Sequence, residues 1–426
     1  MNRAFTGWLG AGFLSTTGTR VSMVALPLFA LELTGSAALT GLVALCEMAP
    51  LVLLKVLGGP IIDRVGPRRV ALTCEMLSVV AVGSIPALHL AGALTFPLLL
   101  VLVAVAGALR GPGESAQNAM SPALAAHAGV PLERVTGLDG AAERTASMTG
   151  AALAGILVAS VGAAEALVVN AGALGVAALV LAWATAGVPV QSTAAAAGEV
   201  EPGEQRYLDQ LREGWRFLRS DPLLLGITVM VALTNLLDMA WSAVLMPVWA
   251  VTSGEGAAAL GLLLALMSGC SALGAACAAA FASRLPRYTV YLVGFLLTGL
   301  PRFAIFVVEV PLVAVAAVFA VAGFASGFLN PVLGAVIFER IPAPLVGRVS
   351  SLSTALCFAL MPLGGLVGGL LVESWGLAAA MLTCGVAYLL VTTAPALDPR
   401  WRELDRRPEP LDEASRTGGL SERAGT

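Results

Sequence analysis

Long apolar runs, following one another with only a few polar residues between, constrain this chain more than any other feature. They fall near residues 6–31, 39–59, 70–90, 95–116, 137–161 and 164–187, and again near 222–250, 257–282, 288–308, 311–338, 345–371 and 375–395. A helix rises about 1.5 Å per residue, so roughly 20 apolar residues cross the hydrocarbon of a bilayer. Each run therefore predicts a transmembrane helix, six and then six. The charge content agrees: 12% of residues are charged and 58% hydrophobic, against about 25% and roughly 45–50% in a soluble domain. Most of the surface cannot face water. That excludes a soluble enzyme, a nucleic-acid binder and a disordered chain. The first run extends to about Leu31, past signal-peptide length, and reads as a retained first span.

Four regions are expected. Residues 1–189 form a first six-helix bundle and residues 222–396 a second; 190–221 link them, and 397–426 are a disordered cytoplasmic tail rich in charge. The linker opens with Ala, Gly and Glu. It continues with Leu208, Leu211, Trp215 and Leu218 at helical spacing against Arg212, Arg216 and Arg219. This predicts an amphipathic helix, lying either on an anionic membrane face or against the bundle.

Arginine placement orients the chain. With the N-terminus inside, the inner loops hold Arg64, Arg68, Arg69, Arg134, Arg284, Arg287, Arg340 and Arg348, while the outer loops hold Glu32, Glu165, Glu255, Glu309 and Glu373. Positive charge belongs inside, so both termini are expected in the cytoplasm and the span count is even. An internal repeat supports the same count. At an offset of 214, Arg134-Val135 matches Arg348-Val349, Gly150 matches Gly364, Gly155 matches Gly369 and Gly162 matches Gly376; at 220, Arg64 matches Arg284 and Val70 matches Val290. Two halves in the same orientation, with a site at the midplane between them, are the plan of a parallel-repeat transporter.

Ionisable residues inside hydrocarbon cost about 2.5–3.5 kcal/mol on insertion scales, so each asks for a partner or a function. Arg20 in span 1 and Glu47 in span 2 lie near the midplane and could pair, as a fixed bridge or as a proton-linked switch. Lys55 and Glu75, toward the inner ends of spans 2 and 3, read as a structural pair. Asp238, mid-way along span 7, shares a helical face with Asn235 and Trp241. Hydrocarbon disfavours the charge of a lone carboxylate, so an acid without a cationic neighbour can carry a proton and exchange it for a cationic drug. The other reading of Asp238 is a fixed bond to Arg302 in span 9, for which Glu309 is a competing acid. Candidate pocket aromatics are Phe13, Trp241, Trp249, Phe324, Phe328 and Phe358, with Asn235 as a polar neighbour.

The segment Gly59-Pro60-Ile61-Ile62-Asp63-Arg64-Val65-Gly66-Pro67-Arg68-Arg69 places one acid among three arginines just past the inner end of span 2. Such a cluster can latch two halves together and release them. It resembles the loop motif of the major facilitator superfamily, G-x-L-a-D-r-x-G-r-[RK]-[RK], with Pro67 at a usually basic position. The resemblance implies a gating role for Gly59, Asp63, Arg64, Gly66, Arg68 and Arg69. It also implies an all-α membrane fold of twelve helices in two pseudo-symmetric bundles. Leu26-Pro27-Leu28, Leu33-Thr34-Gly35-Ser36, Pro50, Gly347-Arg348-Val349 and Pro362-Leu-Gly-Gly resemble the macrolide-efflux-type branch of drug:proton antiporters. Gly150-Ala-Ala-Leu-Ala-Gly155 stands where that branch carries G-P-x-x-G-G, with Ala151 and Ala154 as departures. Arg110 falls where its proton-linked arginine would sit.

The expectation is a secondary exporter of amphiphilic molecules, coupled to protons, monomeric in the inner membrane and surrounded by lipid. Export of a siderophore or other natural product, or lysophospholipid flipping, would suit the same fold. No cofactor or metal is expected: G-x4-G-K-[ST] is missing and the cysteines form no C-x-x-C. An intramembrane enzyme is disfavoured because His89 and His127 have no acid at ligand spacing on their spans. One proton falling through 100 mV yields about 2.3 kcal/mol, enough for a roughly fortyfold gradient of a neutral solute.

Overall fold

The computed structural model describes residues 3–188, 204–281, 284–342 and 345–406. Its helices are α1 (Arg3–Thr34), α2 (Ala37–Leu57), α3 (Pro67–Leu90), α4 (Phe96–Ala119), α5 (Leu132–Val161) and α6 (Ala163–Ala184) in the first half. In the second half they are α7 (Pro222–Thr252), α8 (Gly256–Phe281), α9 (Arg287–Val307) and α10 (Leu312–Arg340). Then comes a single apolar helical stretch of 50 residues, Arg348–Leu397. At 1.5 Å per residue it would be about 75 Å long, more than twice the hydrocarbon thickness.

It does not run straight. Gly376 has φ 78°, ψ 167°, a left-handed backbone that favours glycine. The two arms on either side run in opposite directions. On the first arm, Gly364 and Gly368 follow Leu236 and Ala240 along α7; on the second, Gly385 packs on Phe303 and Tyr291 bonds Thr392, so the chain returns along α9. We number the arms α11 (346–375) and α12 (377–393), which makes twelve long apolar helices among the described residues. Gly162 makes the same hairpin between α5 and α6, with φ 100°, ψ 164°. The fold is all-α, in two pseudo-symmetric six-helix halves.

Large apolar side chains stand exposed around the outside, including Val80, Leu179, Leu273 and Trp375. That surface belongs against lipid, since soluble proteins rarely expose such patches. Between helices the contacts are made by small residues, the usual means of close helix approach in membranes. At the end of the molecule away from the termini, here the distal end, α2 meets α11 and α5 meets α8. A Cβ added to Gly155 would come within 2.8 Å of the Ala257 carbonyl oxygen, and one on Gly261 within 2.8 Å of the Ala151 oxygen. Gly369 against Ala37 and Gly41 against Gly365 repeat the arrangement. These are equivalent residues of the two halves, at the offsets of 214 and 220 seen in the sequence.

One expectation needs correction. The tail is ordered as far as Arg406: Pro399–Asp405 is a 3₁₀ segment whose Trp401 and Leu404 are buried, with Trp401 stacked 4.9 Å from Tyr291. An aromatic and a leucine at the right spacing find an apolar seat on α9. The remainder, 407–426, lies outside the described residues, as does the linker stretch 189–203. The amphipathic helix is present at Glu204–Ser220, but it packs on the bundle through Leu218, while Trp215 is 42% exposed. The side chains of Leu208 and Leu211 lie outside the described residues.

Candidate functional site

A cavity of about 560 Å³ lies between the halves. Its first-half wall carries Arg20, Met23, Leu26, Glu47, Glu143, Arg144 and Ser147; its second-half wall carries Met239, Trp241, Ser242, Leu264, Met267 and Ser271. Glu47 is ten residues into α2, about 15 Å deep and so near the midplane. A second cavity of about 310 Å³ lies within the first half, lined by Phe13, Arg20, Glu47, Glu75, Arg110 and Glu114 among others. Arg20 and Glu47 border both cavities.

Glycines create the room for these charges. Gly107 and Gly111 bring α4 onto the main chain of α2 at Glu47 and Leu51, and Arg110 lies between them in sequence. Arg110 reaches Glu47 at 3.6 Å and Glu114 at 2.9 Å, while Lys55 binds the other Glu114 oxygen at 2.9 Å. Gly150 in α5 lets the stem of Arg20 pass close, and the Arg20 Nε–H donates to the Ser147 hydroxyl at 3.1 Å. Glu75 accepts from the Ser15 hydroxyl at 2.6 Å.

The expected pairs are therefore re-sorted. Glu47 pairs with Arg110 and not Arg20; Lys55 pairs with Glu114 and not Glu75. Position along a span can be read from the sequence, but the direction each side chain faces depends on how the helices are rotated. Glu114 was overlooked, although its i, i+4 spacing from Arg110 was a usable signal. Glu143 and Arg144, charged residues within an apolar span, were another.

In the second half, Asp238 bonds Arg302, which is the fixed-bond alternative. Arg302 is buried, with its guanidinium carbon 4.9 Å from the Trp241 ring, 5.0 Å from Phe303 and 4.9 Å from Tyr388. Such cation–π contacts replace part of the lost hydration. Just beyond Asp238, residues Trp241–Leu245 form a π-helical turn, a wide turn common at functional sites. No sequence pattern announced the three-ring enclosure, because its members come from α7, α9 and α12.

The other candidates are dispersed. Trp241 lines the cavity between the halves and Phe13 the one inside the first half. Asn235 donates to the Cys357 carbonyl at 2.9 Å, a bond between α7 and α11. Phe324 and Phe328 meet edge to face at 5.5 Å along α10, and Phe358 is 39% exposed. None of these three borders either cavity, so their proposed place in the pocket is withdrawn. In the loop after α2, Gly59–Val65 is a short helix and Gly66 turns at φ 93°. Arg68 donates to Thr185 at 2.9 Å and to the Ala182 carbonyl at 3.1 Å, both near the end of α6 in its own half; Asp63, Arg64 and Arg69 are exposed.

Known proteins share this architecture along its whole length. The signature of the Major Facilitator Superfamily matches residues 8–256 and, separately, 228–423. The "Multidrug efflux pump Tap" of Mycobacterium tuberculosis (strain ATCC 25618 / H37Rv) is 30% identical over 404 residues, 94% of each chain. Its namesake from Mycolicibacterium fortuitum is 28% identical over 409 residues, 94% of this chain and 97% of the other. Among solved structures, the nucleoside transporter NupG superposes with a TM-score of 0.75 at 14% identity, covering 96% of this chain and 100% of its own. A bacterial homologue of the human lysosomal transporter Spinster, inward-facing and unoccupied, gives 0.68 at 14% identity, covering 96% and 98%. These two likenesses speak for the fold alone. With two six-helix halves, a midplane cavity between them and the family signature across both, this chain belongs to the Major Facilitator Superfamily and is a multi-pass membrane transporter.

Proposed function

We propose that the protein exports amphiphilic, drug-type molecules across the cell membrane by alternating access, in exchange for protons. The observation that carries this reading is the character of the cavity between the halves. Met23, Leu26, Met239, Trp241, Leu264 and Met267 offer an adaptable apolar lining, while Glu47 and Glu143 offer charge to a cationic group. The names of the relatives, multidrug efflux pumps over 94% of their length, favour the same cargo class.

Arginine placement assigns the end bearing the termini to the cytoplasm. The glycine contacts then close the outer side, and the arrangement is the one that loads from inside. Arg68 is bound to α6 of its own half, in keeping with a released cytoplasmic latch.

Glu47 suits the coupling role better than Asp238. Arg110 is shared between Glu47 and Glu114, so a proton on Glu47 leaves the guanidinium with a partner. A proton on Asp238 would strand Arg302 in its enclosure, and that charge is expensive to bury alone. Cargo approaching Glu47 from the cavity can displace the proton, and a second proton restores the cycle.

The test is efflux of a fluorescent cation and a macrolide from pump-deficient cells, for wild type and Glu47→Gln, each with and without a protonophore. Export abolished by the protonophore and by the substitution supports proton exchange at Glu47. Export of neither compound, from protein verified in the membrane, removes the multidrug reading.

A further inference from the structure

The helix Glu204–Ser220 ends one residue before α7. That residue, Asp221, accepts from the Leu223 and Leu224 amides and pairs with Arg340 at the end of α10 at 2.7 Å. Along the helix, Glu213 pairs with Arg348 at 2.5 Å, and Leu218 is buried with Leu224, Ile341 and Val349. The helix is thus held against α7 and α11 at the end of the molecule that bears the termini, here the proximal end.

Over its described second half, the side that faces inward is already occupied. Gly214 and Leu218 face the bundle, so the helix cannot dip that side into lipid as an ordinary interfacial helix does. What it turns outward is Arg212, Trp215, Arg216 and Arg219, all exposed and spaced i, i+3, i+4, i+7 as one continuous stripe. An exposed tryptophan among arginines suits the headgroup zone, where the indole is half solvated and the guanidinium forks onto phosphate.

We propose that this stripe binds the headgroups of anionic phospholipids in the leaflet at the proximal end, with Arg216 and Arg219 holding phosphate and Trp215 lodged beside them. Basic side chains near an anionic surface each enrich it severalfold. Through Glu213, Leu218 and Asp221 the bound lipid is tied to the ends of α7, α10 and α11, all in the second half. The proposal is independent of the cargo and of proton coupling.

The test uses the full-length protein in bilayers of equal parts phosphatidylcholine and phosphatidylglycerol, with bromine on the acyl chains of one lipid or the other. The emission difference between wild type and Trp215→Phe isolates Trp215. Brominated phosphatidylglycerol is expected to quench this signal at least about twofold more than brominated phosphatidylcholine. The ratio should fall to unity in Arg216→Gln/Arg219→Gln, which changes only exposed side chains and is checked for an unaltered elution profile. Equal quenching by the two lipids in wild type, or no quenching by either, overturns the proposal. A ratio unchanged in the double variant overturns the assignment to these arginines.

Discussion

Glu47 in α2 and Met267 in α8 occupy equivalent places in the two halves. Each presents its main-chain carbonyl to a glycine two spans on, Gly107 or Gly323, and one turn later Leu51 and Ser271 do the same for Gly111 and Gly327. The backbone arrangement is repeated, yet the side chains are not. Glu47 is a carboxylate beside Arg110; its counterpart is a thioether, and the serine at 326 stands where Arg110 would be. Glu75 likewise falls where the second half has Phe295, 220 residues on. Among the described residues, the second half instead pairs a buried guanidinium, Arg302, with the part-exposed Asp238 and surrounds the guanidinium with three rings. Small residues repeat the scaffold, and ionisable chemistry open to a cavity is loaded into one half.

The largest expected effect probes the enclosed pair. Asp238→Asn leaves a buried guanidinium without its counter-ion, which costs about 3–5 kcal/mol in comparable pairs; the three rings bring the loss to the lower end. Thermal unfolding in detergent should show a marked drop, whereas Glu47→Gln should barely move the midpoint because Arg110 retains Glu114. An unchanged midpoint for Asp238→Asn together with lost coupling would place the titrating acid in the second half and invert the comparison.

Coupling is the next test. Glu47→Gln should remove the contribution of the membrane potential to transport of a neutral solute, a roughly fortyfold gradient per proton at 100 mV, measured as accumulation of an uncharged dye in everted vesicles with an imposed potential. Met267→Gln, the matched change in the other half, should leave the gradient intact. If both abolish it, the asymmetry is not functional.

Smaller effects are expected where the halves are alike. Gly155→Val and Gly41→Val each push a side chain into a facing backbone, an overpacking of about 1–3 kcal/mol, and should shift the population toward forms open at the distal end. Spin-label distances between the distal ends of the halves would read this. The two variants should behave alike, and a response from only one would show the interfaces to be mechanically unequal. Least affected should be Lys55→Ala: its pair with Glu114 is 45% and 39% exposed, and such pairs contribute about 1 kcal/mol or less.

Lys55 also illustrates where sequence reading stopped. Its span and depth were legible from the apolar runs, but its partner was not, because Glu75 and Glu114 are both acids near the same end of the first half. Choosing between them requires the rotation of α2 against α3 and α4. The same applies to Arg20, whose bond to Ser147 depends on Gly150 admitting its stem. Asp238 had two readings, and only the folding of α9 back across α7 decided for Arg302.

What the sequence alone determined was whatever is encoded locally along the chain. Twenty-residue apolar runs set the crossings, arginines at alternate loops set the expected orientation, and glycines repeated at offsets of 214 and 220 set the two-fold scaffold, since each depends on spacing within a segment. What the tertiary structure alone decided was which charges meet. Six side chains from four helices, Glu47, Arg110, Glu114, Lys55, Asp238 and Arg302, were sorted into their pairs by helix rotation and by which glycines allow close approach. An ion pair is decided by a few ångströms between helices, a distance that no periodicity along one helix records.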